Sequence, residues 1–456
     1  MGVARLGARE TLRGEAAGPE GWPLRWGLGR RFLGGATWLL VGAGIGRAIN
    51  LAGTIWVTRE LTGPAFGRLT YLQTVVAFIV AIAVLGLNVA VTKAAALARA
   101  EDPARVGQLI GLTTRVVLVG SAVLAIAMTA ARTPLARLLE SPELADQVVL
   151  ASLAIIAGAA TAAITGALVG LEAFRTIAFV STTRGVLAAA LTVVGAVASG
   201  LEGAIAGWAA AECLAAVIGF VALARACRGA GVVLSTERPR RSWASLHPVA
   251  IPALASTIAV GFALVFGQRY LADRPTGFQE VAEFNLAYRW SLAVLFVPST
   301  IAPVLLPILT NLRATGASGT FLRLLRSNLW LTAALTALPA TALILLREPI
   351  LGLSGGAYET GAVTFSILMV ATIPTALNGT LSQTALSLDA VRAWLLSDLA
   401  LAATVIISAW VLIPRAGSVG LAAAYGLGYA LSCLLLIVPV ARRAGEFKVD
   451  QPEVDG

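Results

Sequence analysis

Four arginines stand inside predominantly apolar segments: Arg47, Arg115, Arg184 and Arg289. A guanidinium in hydrocarbon costs at least ~2.5 kcal/mol and persists only where water, a counter-charge or a bound anion receives it. By position Arg115 and Arg184 belong to the cytoplasmic halves of their segments, Arg47 to the middle of the first and Arg289 to the outer half of the eighth. The set forms a cationic ladder across a membrane, and only Glu212 and Asp398 lie comparably deep with the opposite sign. An excess of two positive charges suits an anionic passenger. Guanidinium forks match phosphate oxygens bidentately and stay charged at every physiological pH, which fits a pyrophosphate group. The competing reading is that these arginines snorkel to a head-group layer or pair with Glu212 and Asp398 to hold helices together, and for Arg115 and Arg184 it competes closely.

Arg47, Asn50, Thr54 and Thr58 follow i, i+3, i+7 and i+11 and make one polar stripe that lipid would not tolerate, so this face is expected to line a wet cavity. Thr375, Asn378 and Ser382 make a shorter stripe, for which interhelical hydrogen bonding is an equal alternative. Glu212 and Asp398 are the candidate sites for a proton or sodium ion that drives exchange between inward and outward states. Other patterns are discounted. Cys213, Cys227, Cys433 and the single His247 make no metal-ligand set, and no cofactor is expected. Gly42-Ala-Gly44-Ile-Gly46 lacks the strand, the helix and the lysine of a nucleotide loop and reads as close helix packing. No nucleophile–base pair marks an enzyme.

The elements that must position these residues are membrane crossings. Of 456 residues 58% are hydrophobic and 13% charged, and the mean hydropathy is +0.84, well outside soluble composition. About 20 apolar residues make one crossing, and twelve segments qualify: 33–57, 68–91, 108–131, 147–170, 177–199, 204–224, 248–270, 283–310, 327–346, 361–386, 391–413 and 419–440. These are numbered spans 1 to 12 below. With a cytoplasmic N-terminus, 22 of the 34 Lys and Arg fall on the cytoplasmic side and eight outside, which supports an even number of crossings and both termini in the cytoplasm. The net charge of +10 is thereby topogenic and implies no nucleic acid.

The expected organisation is a tail over 1–32, a six-helix bundle over 33–226, a cytoplasmic linker over 227–247, a second bundle over 248–441 and a tail over 442–456. Three matches in chain order, at nearly one common offset, support duplication. Leu69-Thr70-Tyr71 returns as Leu286-Ala287-Tyr288, Arg132-Thr133-Pro134-Leu135 as Arg347-Glu348-Pro349-Ile350, and Gly203 to Trp208 as Gly420 to Tyr425. The fold class expected is an all-α polytopic membrane protein with two parallel six-helix bundles related by an axis along the membrane normal.

At Leu61-Thr-Gly-Pro-Ala-Phe-Gly67 the chain resembles the multidrug/oligosaccharidyl-lipid/polysaccharide exporter superfamily, and within it the O-antigen and polysaccharide-repeat flippases. The likeness continues through Leu85 to Val91, Ala287-Tyr-Arg-Trp290 with Pro298, Arg347 to Ile350 with Tyr358, and Ile413 to Gly420. It implies a V-shaped pair of bundles that opens alternately to each side and moves an undecaprenyl-pyrophosphate-linked oligosaccharide from the inner to the outer leaflet of the cytoplasmic membrane. Partners implied are the lipid-linked anionic oligosaccharide, membrane lipids, a coupling ion and polysaccharide polymerase machinery. Arg47 falls where related lipid II flippases place a cavity arginine, but Gly53 stands at their second arginine, which argues against lipid II. Glu283 stands where the half-repeat would give Phe66. The alternative reading is an ion-coupled small-molecule antiporter of the same superfamily; the first span has no acidic residue before Glu60, which disfavours cationic drugs.

Overall fold

A computed structural model describes residues 26–88, 90–92, 103–139, 145–235, 239–300 and 318–446, with Ala302, Leu309 and Leu312. Every regular element among them is helical. In order these are α1 (Trp26–Glu60), α2 (Gly63–Val84), α3 (Pro103–Ala130), α4 (Arg132–Leu138), α5 (Ala145–Gly170), α6 (Phe174–Gly229), α7 (Pro239–Ala272), α8 (Gly277–Val294), α9 (Ser318–Leu345), α10 (Arg347–Leu353), a 3-10 turn (Gly356–Gly361), α11 (Ala362–Ser387) and α12 (Val391–Glu446). Among the described residues eight helical segments are long and apolar enough to cross a bilayer.

Helices α6 and α12 have 56 residues each, about twice what one crossing needs. Each folds back on itself at a glycine: Gly200 has φ 59° and ψ −133°, Gly417 has φ 55° and ψ −128°. Only glycine adopts this geometry cheaply. Beyond the bend the arms pack so closely that a Cβ on Gly195 would strike the Gly203 carbonyl, and one on Gly420 would strike that of Leu412. Each long helix therefore holds two antiparallel crossings, spans 5 and 6 and spans 11 and 12.

The duplication read from the sequence recurs in the backbone. Gly200 and Gly417 are separated by the same offset as Glu172 (φ 54°) and Asp389 (φ 52°), two left-handed turn residues before α6 and α12. The short helices α4 and α10 begin at Arg132 and Arg347, the pair already matched in sequence. Packing repeats as well: α1 lies on α6, α5 on α6 and α3 on α5 in the first bundle, as α7 lies on α12, α11 on α12 and α9 on α11 in the second. The two bundles meet where α2 runs against α7 and α8, and where α1 reaches α8. The protein is thus an all-α polytopic membrane protein built from two six-helix bundles.

Some boundaries differ from the hydropathy reading. Only residues 230–238 separate α6 from α7, because both helices continue beyond their apolar parts into Arg-bearing turns. Span 2 is interrupted at Leu85 (φ 54°) and Gly86 (φ 65°), where Gly86 lets span 2 meet the Ala250 carbonyl and Ala253 of α7. Much of the C-terminal end of span 8 and most of both chain tails lie outside the described residues, although α1 already begins at Trp26 and α12 runs on to Glu446.

Candidate substrate cleft

The face of α1 is divided between two neighbours. Gly42, Gly46 and Gly53 turn toward α6, where added Cβ atoms would collide with Ala178, Thr182 and Ala189 respectively. The Thr182 hydroxyl donates to the Gly42 carbonyl at 2.5 Å. This is the close packing expected of the glycine run. Gly44 faces Phe296 of span 8 instead, and on that side stands Arg47. Its guanidinium donates to the Leu292 carbonyl at 3.1 Å and lies 4.8 Å over the Phe296 ring.

About two turns further along α1, toward the outer face as the sequence orients it, Arg289 of α8 donates to the Thr54 hydroxyl at 3.3 Å and to Gln73 Oε1 of α2. Thr54 is buried, and its hydroxyl donates in turn to the Asn50 carbonyl at 3.0 Å. The Thr58 hydroxyl closes the stripe by donating to the Ile55 carbonyl. Arg47, Asn50, Thr54, Gln73 and Arg289 thus lie along one seam between the bundles. Neither Arg47 nor Arg289 meets a carboxylate among the described residues. Among the described residues both cations are held by neutral acceptors, which leaves the seam net positive, a sign that suits an anion.

The other candidates lie elsewhere. Arg184 grips Glu212 with three hydrogen bonds of 2.9 to 3.2 Å between the arms of α6. The Glu212 side chain is 7% exposed and that of Arg184 47%, so this is the helix-holding pair that the sequence left as the alternative. Arg115 is exposed and shares a stripe with exposed Val119, Val123 and Ile126 of α3. Aliphatic residues so bare suit a lipid face, which is the snorkelling alternative that the sequence offered for Arg115. Trp330, its half-repeat counterpart, is 71% exposed on the matching stripe of α9, as an interfacial residue is. Asn378 is buried within the second bundle and accepts from the Ser432 hydroxyl at 3.0 Å. Asp398 is buried between α12 and α7 and accepts from the Ser256 hydroxyl, with no cation paired to it among the described residues.

Gln73, Phe296 and Ser256 were missed by sequence reasoning. An amide in the middle of an apolar span was a signal for Gln73; nothing in spacing marks an aromatic that receives a cation across two bundles. Glu283 explains its departure from the half-repeat: it is buried, accepting from Thr360 at 2.7 Å and Ser418 at 3.0 Å, whereas Phe66 packs edge-on against Tyr358. Among the described residues no group of His, Cys, Asp and Glu could hold a metal.

The paired bundles recur in solved structures. An inward-facing multidrug resistance MATE family transporter of the MOP superfamily superposes with a TM-score of 0.74 at 16% identity, covering 91% of this chain and 100% of its own. A MOP superfamily transporter from Pyrococcus furiosus, described as having a binding pocket of reverse polarity, gives 0.70 at 15% identity over 91% and 96%. The lipid II flippase MurJ in an inward closed conformation gives 0.66 at 12% identity over 90% of both chains. These likenesses show the fold. No curated protein matches the chain in sequence. Residues 32–313, which hold the whole first bundle and the α7–α8 side of the seam, match the family model described as polysaccharide biosynthesis protein, and the chain belongs to that family of membrane transporters.

Proposed function

We propose that the protein is a flippase that carries undecaprenyl-pyrophosphate-linked oligosaccharide repeat units from the inner to the outer leaflet of the cytoplasmic membrane, by alternating access, for cell-surface polysaccharide biosynthesis. The observation that carries this reading is the seam itself: among the described residues Arg47 and Arg289 have neutral partners only there. Family membership supports a polysaccharide precursor as cargo, and the shared fold with a lipid II flippase supports a lipid-linked one. Gly53 is packed against Ala189 of α6, which supports a substrate other than lipid II, because an arginine there would not reach the seam. In this reading the bundles are 33–226 and 248–441, joined through a cytoplasmic linker at 227–247, and both tails are cytoplasmic. Substrate contacts come from Arg47, Asn50, Thr54 and Arg289.

Coupling falls to Asp398, which is buried beside Ser256 without a counter-cation among the described residues; Glu212 is held by Arg184. The same carboxylate is what would favour the second reading, an ion-coupled small-molecule antiporter. The test is export of repeat units in a flippase-deficient bacterium. Wild type restores it and Arg289→Met at equal protein level does not, whereas drug resistance that needs Asp398 but not Arg289 would select the antiporter.

A further inference from the structure

Glu283 opens span 8 at the position where the first bundle carries Phe66, and it is 8% exposed. No cation is paired to it among the described residues. A buried charge is costly enough to persist only where something neutralises it. What surrounds Glu283 is oxygen. The Thr360 hydroxyl, from the 3-10 turn, donates to Oε1 at 2.7 Å, and the Ser418 hydroxyl, beside the bend of α12, donates to Oε2 at 3.0 Å. Buried Thr364 of α11 adds a third hydroxyl, 2.8 Å from that of Ser418.

Two further oxygens at this junction are buried and have no hydrogen-bond partner among the described residues, Tyr358 Oη and Glu280 Oε2. Tyr358 is 1% exposed and lies two residues before Thr360 in the same turn, and Glu283 is the charge that acts on its hydroxyl. A buried phenol with no partner forfeits a hydrogen bond, which calls for a reason. Glu280 stands one turn before Glu283 on α8. Its Oε1 accepts from Arg274 and Thr276, while Oε2 lies against Gly417, the neighbour of Ser418.

We propose that Glu283, Thr360, Ser418, Thr364 and Tyr358 form a site for a monovalent cation, sodium. An all-oxygen set suits a hard cation and not a transition metal, and one carboxylate among neutral hydroxyls balances a single positive charge. A hydroxyl that donates to the carboxylate keeps lone pairs for such an ion. A proton fits less well, because both carboxylate oxygens already accept and a hydrogen on either would face a hydroxyl donor. The site is separate from the seam and from Asp398, and it is independent of the cargo. It joins α8, the 3-10 turn, α11 and α12 where Phe66 of the first bundle meets the Tyr358 ring, so the ion fixes the side of the second bundle that touches the first.

Melting of the full chain in neutral detergent, in sodium chloride against choline chloride at constant ionic strength, reads binding to the folded state. The measurement is made in Asp398→Asn, so that an ion at the coupling carboxylate contributes nothing. Sodium is expected to raise the melting temperature there by about 3 °C or more, saturably. Adding Glu283→Gln, which keeps an acceptor for Thr360, abolishes the rise. Tyr358→Phe in the same background removes only the unpartnered hydroxyl. It should leave melting in choline within about 1 °C and increase the sodium concentration at half-effect at least about threefold. No sodium-specific rise in Asp398→Asn, a rise undiminished by Glu283→Gln, or a half-effect unmoved by Tyr358→Phe would overturn the proposal. If the Glu283 variant does not fold, the Tyr358 variant decides.

Discussion

Replacing Arg289 by methionine separates a binding role from a structural one. The change keeps an unbranched chain and removes the charge with its two hydrogen bonds, to Thr54 and Gln73. Charge-assisted bonds contribute a net of about 1.5–3 kcal/mol each, so about 3–6 kcal/mol for the two, while holding an arginine deep in a membrane costs roughly 2.5–3.5 kcal/mol. The two terms nearly offset, as they do when a buried polar contact gives way to an apolar residue of similar volume. Stability should therefore move by less than about 3.5 kcal/mol, and the melting temperature by only several degrees. The bound anion has no such compensation: loss of a guanidinium–phosphate contact should weaken binding of a pyrophosphate lipid by about 10- to 100-fold, at ~1.4 kcal/mol per decade. Thermal denaturation in detergent and titration with undecaprenyl pyrophosphate, on the same preparations, measure both. A melting temperature that falls by more than about 10 °C with affinity unchanged would eliminate the binding role and make Arg289 a clamp between bundles.

Other perturbations discriminate further. Arg184→Met strands the buried Glu212 carboxylate and should destabilise by about 1–3 kcal/mol, the lower part of the range reflecting the exposure of Arg184; Arg184→Met/Glu212→Gln should recover most of it in the same denaturation assay. The bundles are also tied by reciprocal bonds at the ends of the short helices, Arg59 to the Leu353 carbonyl at 2.6 Å and Arg269 to the Leu138 carbonyl at 3.3 Å. Arg59→Ala and Arg269→Ala should each raise outward opening about threefold or more, and together multiplicatively, measured by spin-label distances across that face. Gly200→Ala and Gly417→Ala both force alanine to positive φ at about 1–2 kcal/mol. Gly417→Ala should cost more, because its Cβ would meet the Glu280 carboxylate whereas Gly200 faces open space; equal melting temperatures would deny that difference.

Much of the fold was legible because lipid imposes a single dominant rule. Apolar runs of bilayer length and the arginine distribution each follow from it, and the backbone repeats the sequence duplication at Gly200 and Gly417. Which residues pair between helices was not legible. Arg184 with Glu212 and Arg289 with Gln73 are 28 and 216 residues apart, and no spacing rule distinguishes an arginine with a carboxylate beside it from one without. Arg115 illustrates the same gap: its depth was readable, but which side of α3 it occupies depends on where α5 packs. Interrupted helices were partly hidden too, since Leu85 gives no hint of a left-handed φ except through the glycine after it.

The most direct test of the cargo is translocation of a fluorescent undecaprenyl-pyrophosphate oligosaccharide in proteoliposomes, read as signal protected from an external quencher, with pH and sodium gradients imposed. Protected signal is expected with wild type, and its loss with Arg47→Ala and with Arg289→Met, both folded. Translocation that is undiminished in both variants, or absent in folded wild type under every gradient, would contradict an arginine-lined path for a lipid-linked anion.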